Sequence, residues 1–381
     1  MRQVGVVTGN RADYGHLVPV LRGIRSSRRL NLRLFVTGMH LSEEFGRTAD
    51  FIRRDGIKPT AVLANRAFDS TPEGMVHGVG RLVEELVEPL RDGAVDVLLL
   101  LGDRGEMLAG AIAATYLRIP IAHLHGGERT GDVDEPVRHA ISRLAHLHLA
   151  ATRQSGERLR RTGEQPWRVH VVGSPRVDLI LHRKRPTRDQ VLQSHGLNPE
   201  KPLILIVQHP TAKDRARAGI LYRRTLDAIL PLDANIVATY PNGDPGSLEI
   251  IRVLKEFARR RPITVYQSLP EDKFLDLLSS ADVLVGNSSS GIIEAPSLKV
   301  PTINVGDRQN DRERGGNVID VPHDAAVIRK SVRKALFDRR FRRKVATSRT
   351  PWGDGHATRR IVRILESVGL DQRLLEKHLA W

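Results

Sequence analysis

Between Val97 and His139 a background of Leu, Ile and Ala is interrupted by Asp103, Arg104, Glu106, His123, His125, Glu128, Asp134 and His139. Carboxylates and imidazoles at this density are proton-handling groups. Two carboxylates held close have their pKa values pushed apart, so that one serves as acid and the other as base. Asp103 follows the apolar run Val97–Leu101, and His125-Gly126-Gly127-Glu128 follows the run Ile121–Leu124. Asp134 and Glu135 open a helical pattern. The plainer alternatives are that Asp134 is a helix N-cap and that Asp103 pairs with Arg104. His123 and His125, two apart on a strand, are expected to face one side, where His139 or His148 could complete a metal pair. Spacing fixes no third ligand, and neutral imidazoles equally carry protons or hydrogen bonds, so no metal is assigned.

A second set of residues suits an anion. Gly286-Asn287-Ser288-Ser289-Ser290-Gly291 follows Val283–Val285 and precedes a helix start at Ile292. Three hydroxyls and the N–H groups of a helix N-terminus predict a phosphate cradle, with Glu294 one turn on for ribose hydroxyls. Helix capping by Ser288 or Ser289 is the alternative. Arg308, beyond Thr302–Val305 and Gly306-Asp307, has the fork to clamp a diphosphate, or is an exposed loop arginine. Arg11, in the loop after the first strand, offers a second positive group. His209, after Leu203–Val207, is either a ligand contact or a cap.

These groups need elements to hold them. Gln3–Thr8, Leu32–Val36, Val95–Leu101, Ile121–Leu124, His148–Ala151 and Val169–Val172 read as strands, continuous in apolar character as strands covered on both faces are. Helical patterns at about 73–92, 105–117, 134–146 and 153–163 separate the later ones, an alternation that predicts a doubly wound parallel sheet. The rhythm breaks around Gly173–Pro186 and restarts with Leu203–Val207, Ile236–Thr239, Ile263–Tyr266, Val283–Val285 and Thr302–Val305. The expected division is a first Rossmann-like domain over 1–178, carrying the acid–base groups, and a second over 179–355, carrying the anion site. The helical stretch His356–Leu379, within 356–381, lies beyond Pro351-Trp352-Gly353-Asp354-Gly355 and is expected to pack back on the first domain. Ligands of open parallel sheets bind at the C-terminal strand edge. Two such edges facing across a cleft suit a nucleotide-linked substrate.

Composition narrows the class. The chain has 381 residues, enough for two domains, and no cysteine, which excludes disulfides and thiolate chemistry. It has no long apolar run, and its start, MRQVGVVTGN, reads as a strand rather than an export signal, so a cytoplasmic protein off the membrane is expected. The net charge of +16 would fit nucleic acid, but the arginines are scattered over exposed helix faces and aromatics make up only 4% of the chain. No nucleic-acid partner is expected.

At this point the motifs converge. Thr8-Gly9-Asn10-Arg11-Ala12-Asp13-Tyr14-Gly15, Gly38-Met39-His40-Leu41, Gly102-Asp103-Arg104, His123-Leu124-His125-Gly126-Gly127-Glu128, Asp134-Glu135-Pro136-Val137-Arg138-His139-Ala140-Ile141, the Gly286–Gly291 run and Gly306-Asp307-Arg308-Gln309 appear in order. In them the chain resembles the UDP-N-acetylglucosamine 2-epimerases, most closely the hydrolysing branch that opens sialic acid and legionaminic acid biosynthesis. The resemblance implies a GT-B-type α/β fold, no cofactor, and a homodimer or homotetramer. It also implies loss of UDP across C1–C2 of a UDP-2-acetamido sugar, UDP-N-acetylglucosamine or UDP-2,4-diacetamido-2,4,6-trideoxyglucose, to a 2-acetamidoglucal. Water then adds to give the free 2-epimer, of N-acetylmannosamine type.

On matching positions the resemblance implies that Asp103, Glu128 and Asp134 are acid–base groups, with His40, His123 and Arg138 near the sugar. Arg11, His209, Gly286, Ser288, Ser289, Ser290, Glu294 and Arg308 fall at the UDP site. Non-hydrolysing members, and some hydrolysing ones, carry glutamate where this chain has His125, so the C2 base is left open among His125, Glu128 and another carboxylate. Gly-Gly-Glu after the histidine is the pattern of the hydrolysing branch. The alternatives are a non-hydrolysing epimerase and a GT-B glycosyltransferase, the latter disfavoured by the cluster of carboxylates and histidines.

Overall fold

The computed structural model describes residues 1–43, 47–63, 71–130 and 134–380. The chain forms two compact units: one of Met1–Arg129, Val133–Leu179 and Trp352–Trp381, the other essentially Ile180–Pro351.

In the first unit, strands β1 (Arg2–Thr8), β2 (Leu30–Val36), β3 (Ala61–Val62), β4 (Val97–Leu101), β5 (Ile121–Leu124), β6 (Leu147–Ala150) and β7 (Val169–Val171) form a parallel sheet in the order β3-β2-β1-β4-β5-β6-β7. Successive residues of β4 feed opposite cores. Val97, Leu99 and Leu101 pack with Val6, Leu17, Leu21 and Ile24, whereas Leu98 and Leu100 pack with Leu82, Leu86, Met107 and Ala111. An apolar run without alternation is what a strand covered on both faces requires. Small residues bring the helix Gly105–Tyr116 close to the sheet: a Cβ on Gly110 would stand 3.0 Å from Leu100 Cδ2.

The second unit repeats the plan with β8 (Leu203–Val207), β9 (Asn235–Thr239), β10 (Ile263–Tyr266), β11 (Val283–Gly286), β12 (Thr302–Val305) and β13 (Val318–Val321), in the order β10-β9-β8-β11-β12-β13. Two strands escape sequence reading for physical reasons. β3 has two residues, and β13 is an edge strand whose exposed Asp320 interrupts its apolar character.

The segment from Trp352 onward forms two helices, Ala357–Ser367 and Gln372–Leu375, rather than one continuous stretch, with Gly369 between them. Ile361, Leu365 and Leu374 complete the core around β1. Polar clamps fix the segment. Asp178 accepts the Ala357 and Thr358 amides at 3.0 and 2.6 Å, and Arg168 donates to the carbonyls of Leu374, Arg373 and Glu376 at 2.8–3.0 Å. Lys377 Nζ donates to the carbonyls of Ser142, Arg143 and Ala145 and to Glu164.

Candidate active site

Each sheet has one place where its strand order reverses, β1/β4 in the first unit and β8/β11 in the second. Diverging loops leave a crevice at such a point, and helix N-termini line it. Asp103 and Arg11 sit at the first reversal; His209 and the Gly286–Gly291 loop sit at the second.

Asp103, just past β4, is ion-paired with Arg138 of the helix Asp134–Leu144. Arg138 is 2% exposed and also donates to the Glu128 carbonyl at 3.1 Å. Its guanidinium therefore ties the tip of β4 to the loop after β5. His123, on β5, donates from Nε2 to the Gly102 carbonyl at 2.7 Å, since a carbonyl only accepts, and its Nδ1 then accepts from Ser142 Oγ at 3.0 Å. Burial lowers its pKa to about 3, so the ring is neutral. His123 thus fixes the backbone immediately before Asp103.

Beyond β5 the chain turns sharply. His125 has φ +64° and Gly127 +75°, and a Cβ on Gly127 would stand 2.4 Å from the Ser155 carbonyl oxygen. The turn places His125 Nδ1 against Glu128 Oε1, with both side chains buried. A carboxylate accepts, so Nδ1–H donates and a neutral ring keeps its lone pair on Nε2. That atom is buried and has no hydrogen-bond partner among the described residues. Asp134 stands four residues before Arg138 in the helix Asp134–Leu144, and that spacing puts both on one helix face.

The β1 loop holds groups that sequence reading did not single out. Asn10 caps the helix Arg11–Ser26, and Asp13 answers with a capping box, accepting the Gly9 and Asn10 amides at 3.0 and 3.1 Å. Thr8 Oγ1 also donates to Asp13, so His40 Nε2 must donate to Thr8, at 2.9 Å, and His40 Nδ1 accepts from Thr48 at 2.7 Å. Burial raises the Asp13 carboxyl to about 7, with a smaller contribution from nearby Glu106, and lowers His40 to about 3. The Asn-x-x-Asp spacing was the available signal for Asp13.

In the second unit Asn287 accepts the His209 amide at 2.7 Å and donates to its carbonyl at 2.9 Å, clasping the tips of β8 and β11. Gly286 has φ +135°, and a Cβ there would overlap the Val207 carbonyl at 2.1 Å. His209 Nδ1 accepts the Asn242 amide at 3.1 Å, leaving Nε2–H as the donor of the neutral ring. Arg308 and Gln309 both donate to the Asn287 carbonyl, at 3.4 and 3.0 Å. Ser288 and Ser290 share a hydroxyl contact at 3.2 Å, beside buried Glu294. An open cleft of ≈ 860 Å³ nearby is lined by Lys213, Arg217 and Arg224 together with Asp214, Asp307 and Asp324, a mixed set that does not select an anion.

Several expectations change. His125 lies beyond β5 with positive φ, so it is not on the strand with His123 and strand alternation does not pair them. Asp103 is held by Arg138, while Arg104 Nε reaches Glu106 at 3.4 Å. Asp134 lies within the helix Asp134–Leu144 rather than capping it from outside. His40 and His123 are fully buried with both ring nitrogens engaged, so they brace the loops instead of reaching outward. The Ser290 amide is used by Ser288 Oγ at 3.2 Å, and the helix it opens spans only Ser290–Ile293, which makes a poorer anion cradle than the serine run suggested. Among the described residues no group of three or more His, Asp or Glu is placed to hold a metal ion.

Two Rossmann-like units, with buried proton-handling groups at one strand reversal and hydroxyl and cationic groups at the other, define an enzyme of nucleotide-sugar type with a GT-B-type fold. Residues 22–366 match the family described as UDP-N-acetylglucosamine 2-epimerase, and the chain belongs to that family. It is 39% identical over 377 residues, 99% of each chain, to the UDP-N,N'-diacetylbacillosamine 2-epimerase (hydrolyzing) of Legionella pneumophila. It is 34% identical over 88% of each chain to the UDP-N-acetylglucosamine 2-epimerase of Neisseria meningitidis. Among solved structures, that of the Neisseria meningitidis UDP-GlcNAc 2-epimerase bound to UDP-GlcNAc superposes with a TM-score of 0.80 at 21% identity, over 96% of this chain and 99% of the other.

Proposed function

We propose that this chain is a hydrolysing 2-epimerase that converts a UDP-2-acetamido sugar and water into UDP and the free 2-epimer. The observation that carries the reading is the buried His125–Glu128 pair beside Asp103–Arg138, in a chain similar over its whole length to a hydrolysing relative. In the first step His125 Nε2 takes the C2 proton. The C–H electron pair becomes the C1=C2 bond of a 2-acetamidoglucal, and the C1–O bond breaks with its pair going to UDP. Glu128 steadies the imidazolium. The C1=C2 pair then takes a proton at the opposite face of C2 from Asp103 or Asp134 in its acid form, while water bonds through oxygen to C1. The proton water gives up restores that acid, and the one held by His125 leaves to solvent.

Arg11, His209, Ser288, Ser289, Ser290, Glu294 and Arg308 are assigned to UDP, whose developing negative charge needs cations and N–H or O–H donors. Among the described residues no helix is long and apolar enough to cross a membrane. A cytoplasmic homo-oligomer remains part of the proposal.

The test is turnover of UDP-N-acetylglucosamine and UDP-2,4-diacetamido-2,4,6-trideoxyglucose, side by side, in deuterium oxide. Free 2-epimer carrying deuterium at C2, together with UDP, is expected from at least one of them. Accumulation of an epimerised UDP-sugar would make the enzyme non-hydrolysing. Absence of both C2 exchange and UDP release with both sugars would refute the proposal.

A further inference from the structure

The imidazole of His125 is enclosed by three side chains. Glu128 takes Nδ1, the Trp352 indole lies offset and nearly parallel at 6.1 Å and 15°, and the His16 ring stands edge-on at 5.4 Å and 81°. His125 is 4% exposed, yet its Nε2 has no protein partner among the described residues. A buried polar atom without a partner is costly unless something else supplies one.

Trp352 comes from the break Pro351-Trp352-Gly353 and is fully buried. Its backbone is anchored independently of the dyad. The Trp352 carbonyl accepts the Ser174 amide at 2.7 Å, and a Cβ on Gly353 would stand 3.2 Å from Gly173 Cα. The indole is therefore a fixed wall against which the imidazole rests.

We propose that Trp352 is a positioning residue for the His125–Glu128 pair. It holds the imidazole with Nε2 left to the substrate and favours the imidazolium formed when the C2 proton is taken. The proposal rests on the assignment of His125 as C2 base. Proton uptake at Nε2 creates a positive charge that Glu128 compensates and the indole face attracts. Among the described residues, other titratable or charged groups near the ring include His16 from the helix Arg11–Ser26, His123 from β5, Arg138 and Arg158, which bind the Glu128 and Gly127 carbonyls, and buried Arg176, which binds the Gly15 carbonyl beside His16. The arginines oppose the imidazolium, so the aromatic face and Glu128 act against them.

The experiment compares Trp352→Leu, Trp352→Phe and His125→Gln by steady-state kinetics, C2 deuterium exchange and melting temperature. Trp352→Leu is expected to lower kcat about tenfold with KM within about twofold, as mispositioning of a proton-transfer group does. The ascending limb of kcat/KM should move to lower pH, because the imidazolium loses its π partner. Trp352→Phe should lie between the two. A folded Trp352→Leu enzyme with the wild-type pH profile and kcat overturns the proposal. Should the Leu variant not fold, the His125 imidazole nitrogen shifts of Trp352→Phe decide: a midpoint below wild type supports the role and an unchanged one overturns it. If His125→Gln retains C2 exchange, the base assignment itself fails; loss of exchange there with normal Trp352 variants removes only Trp352.

Discussion

Asp103, half-buried, and Asp13, buried, are both held by partners, yet they do different work. Asp103 meets Arg138, and replacing it by Asn keeps the shape and an acceptor for that guanidinium while removing the ability to exchange a proton. Asp103→Asn should cost turnover on the order of 10²–10⁴-fold, the scale of a lost acid–base group, while calorimetry finds UDP affinity near wild type. Asp13 titrates at about 7 in the fold against 3.8 in the open chain, so the unfolded state is the more ionised between those values. Its contribution to stability is full at low pH and is lost as pH rises through that window. Asp13→Asn should therefore gain stability relative to wild type from pH 4 to pH 7, read from urea midpoints. His40 and His123, lowered to about 3 from 6.5, act in the opposite sense and make the fold acid-labile as pH falls below 6.5.

Lys377 shows how one element governs another. Its ammonium binds the carbonyls of Ser142, Arg143 and Ala145 at the C-terminus of the helix that carries Asp134 and Arg138, and it neutralises Glu164, which also holds His148 at 2.8 Å. Lys377→Met leaves Glu164 with Arg143 as its remaining cation, at 3.0 Å, and three carbonyls without their donor, and should destabilise the first unit by about 1–3 kcal/mol in urea titration. Elements of this kind were unevenly legible. β4, β8 and β11 stand out because burial on both faces demands runs of Val, Ile and Leu, and their tips follow directly; β5 is read from Ile121, Ala122 and Leu124 around the buried His123. The partners at those tips were hidden. Arg138 reaches Asp103 and Trp352 reaches His125 through folding, and neither contact leaves a mark in local spacing. The turn at His125 was hidden for another reason: a non-glycine residue with positive φ carries no compositional signal.

At the scale of the molecule, the second unit is essentially one continuous stretch, whereas the first is closed by the segment after Trp352. A chain ending at Pro351 loses Ile361, Leu365 and Leu374 from the core around β1. It should retain one cooperative unfolding transition, from the second unit, where the full chain shows the contribution of both, and calorimetry would show it. In the full chain, Arg308→Ala should weaken UDP by at most ~3 kcal/mol, the upper value for a hydrogen bond to a charged group. Titration calorimetry checks this, and an unchanged affinity would remove Arg308 from the UDP site.

The late arrival of Trp352, Ile361 and Lys377 also orders events on the ribosome. The strands of the first sheet are complete by Val171, but the helices that cover β1 are made only after the whole of Ile180–Pro351, so the first core is finished last. Until then the apolar surface around β1 that Ile361 and Leu365 cover stays open to water, the kind of transiently exposed surface on which nascent chains aggregate.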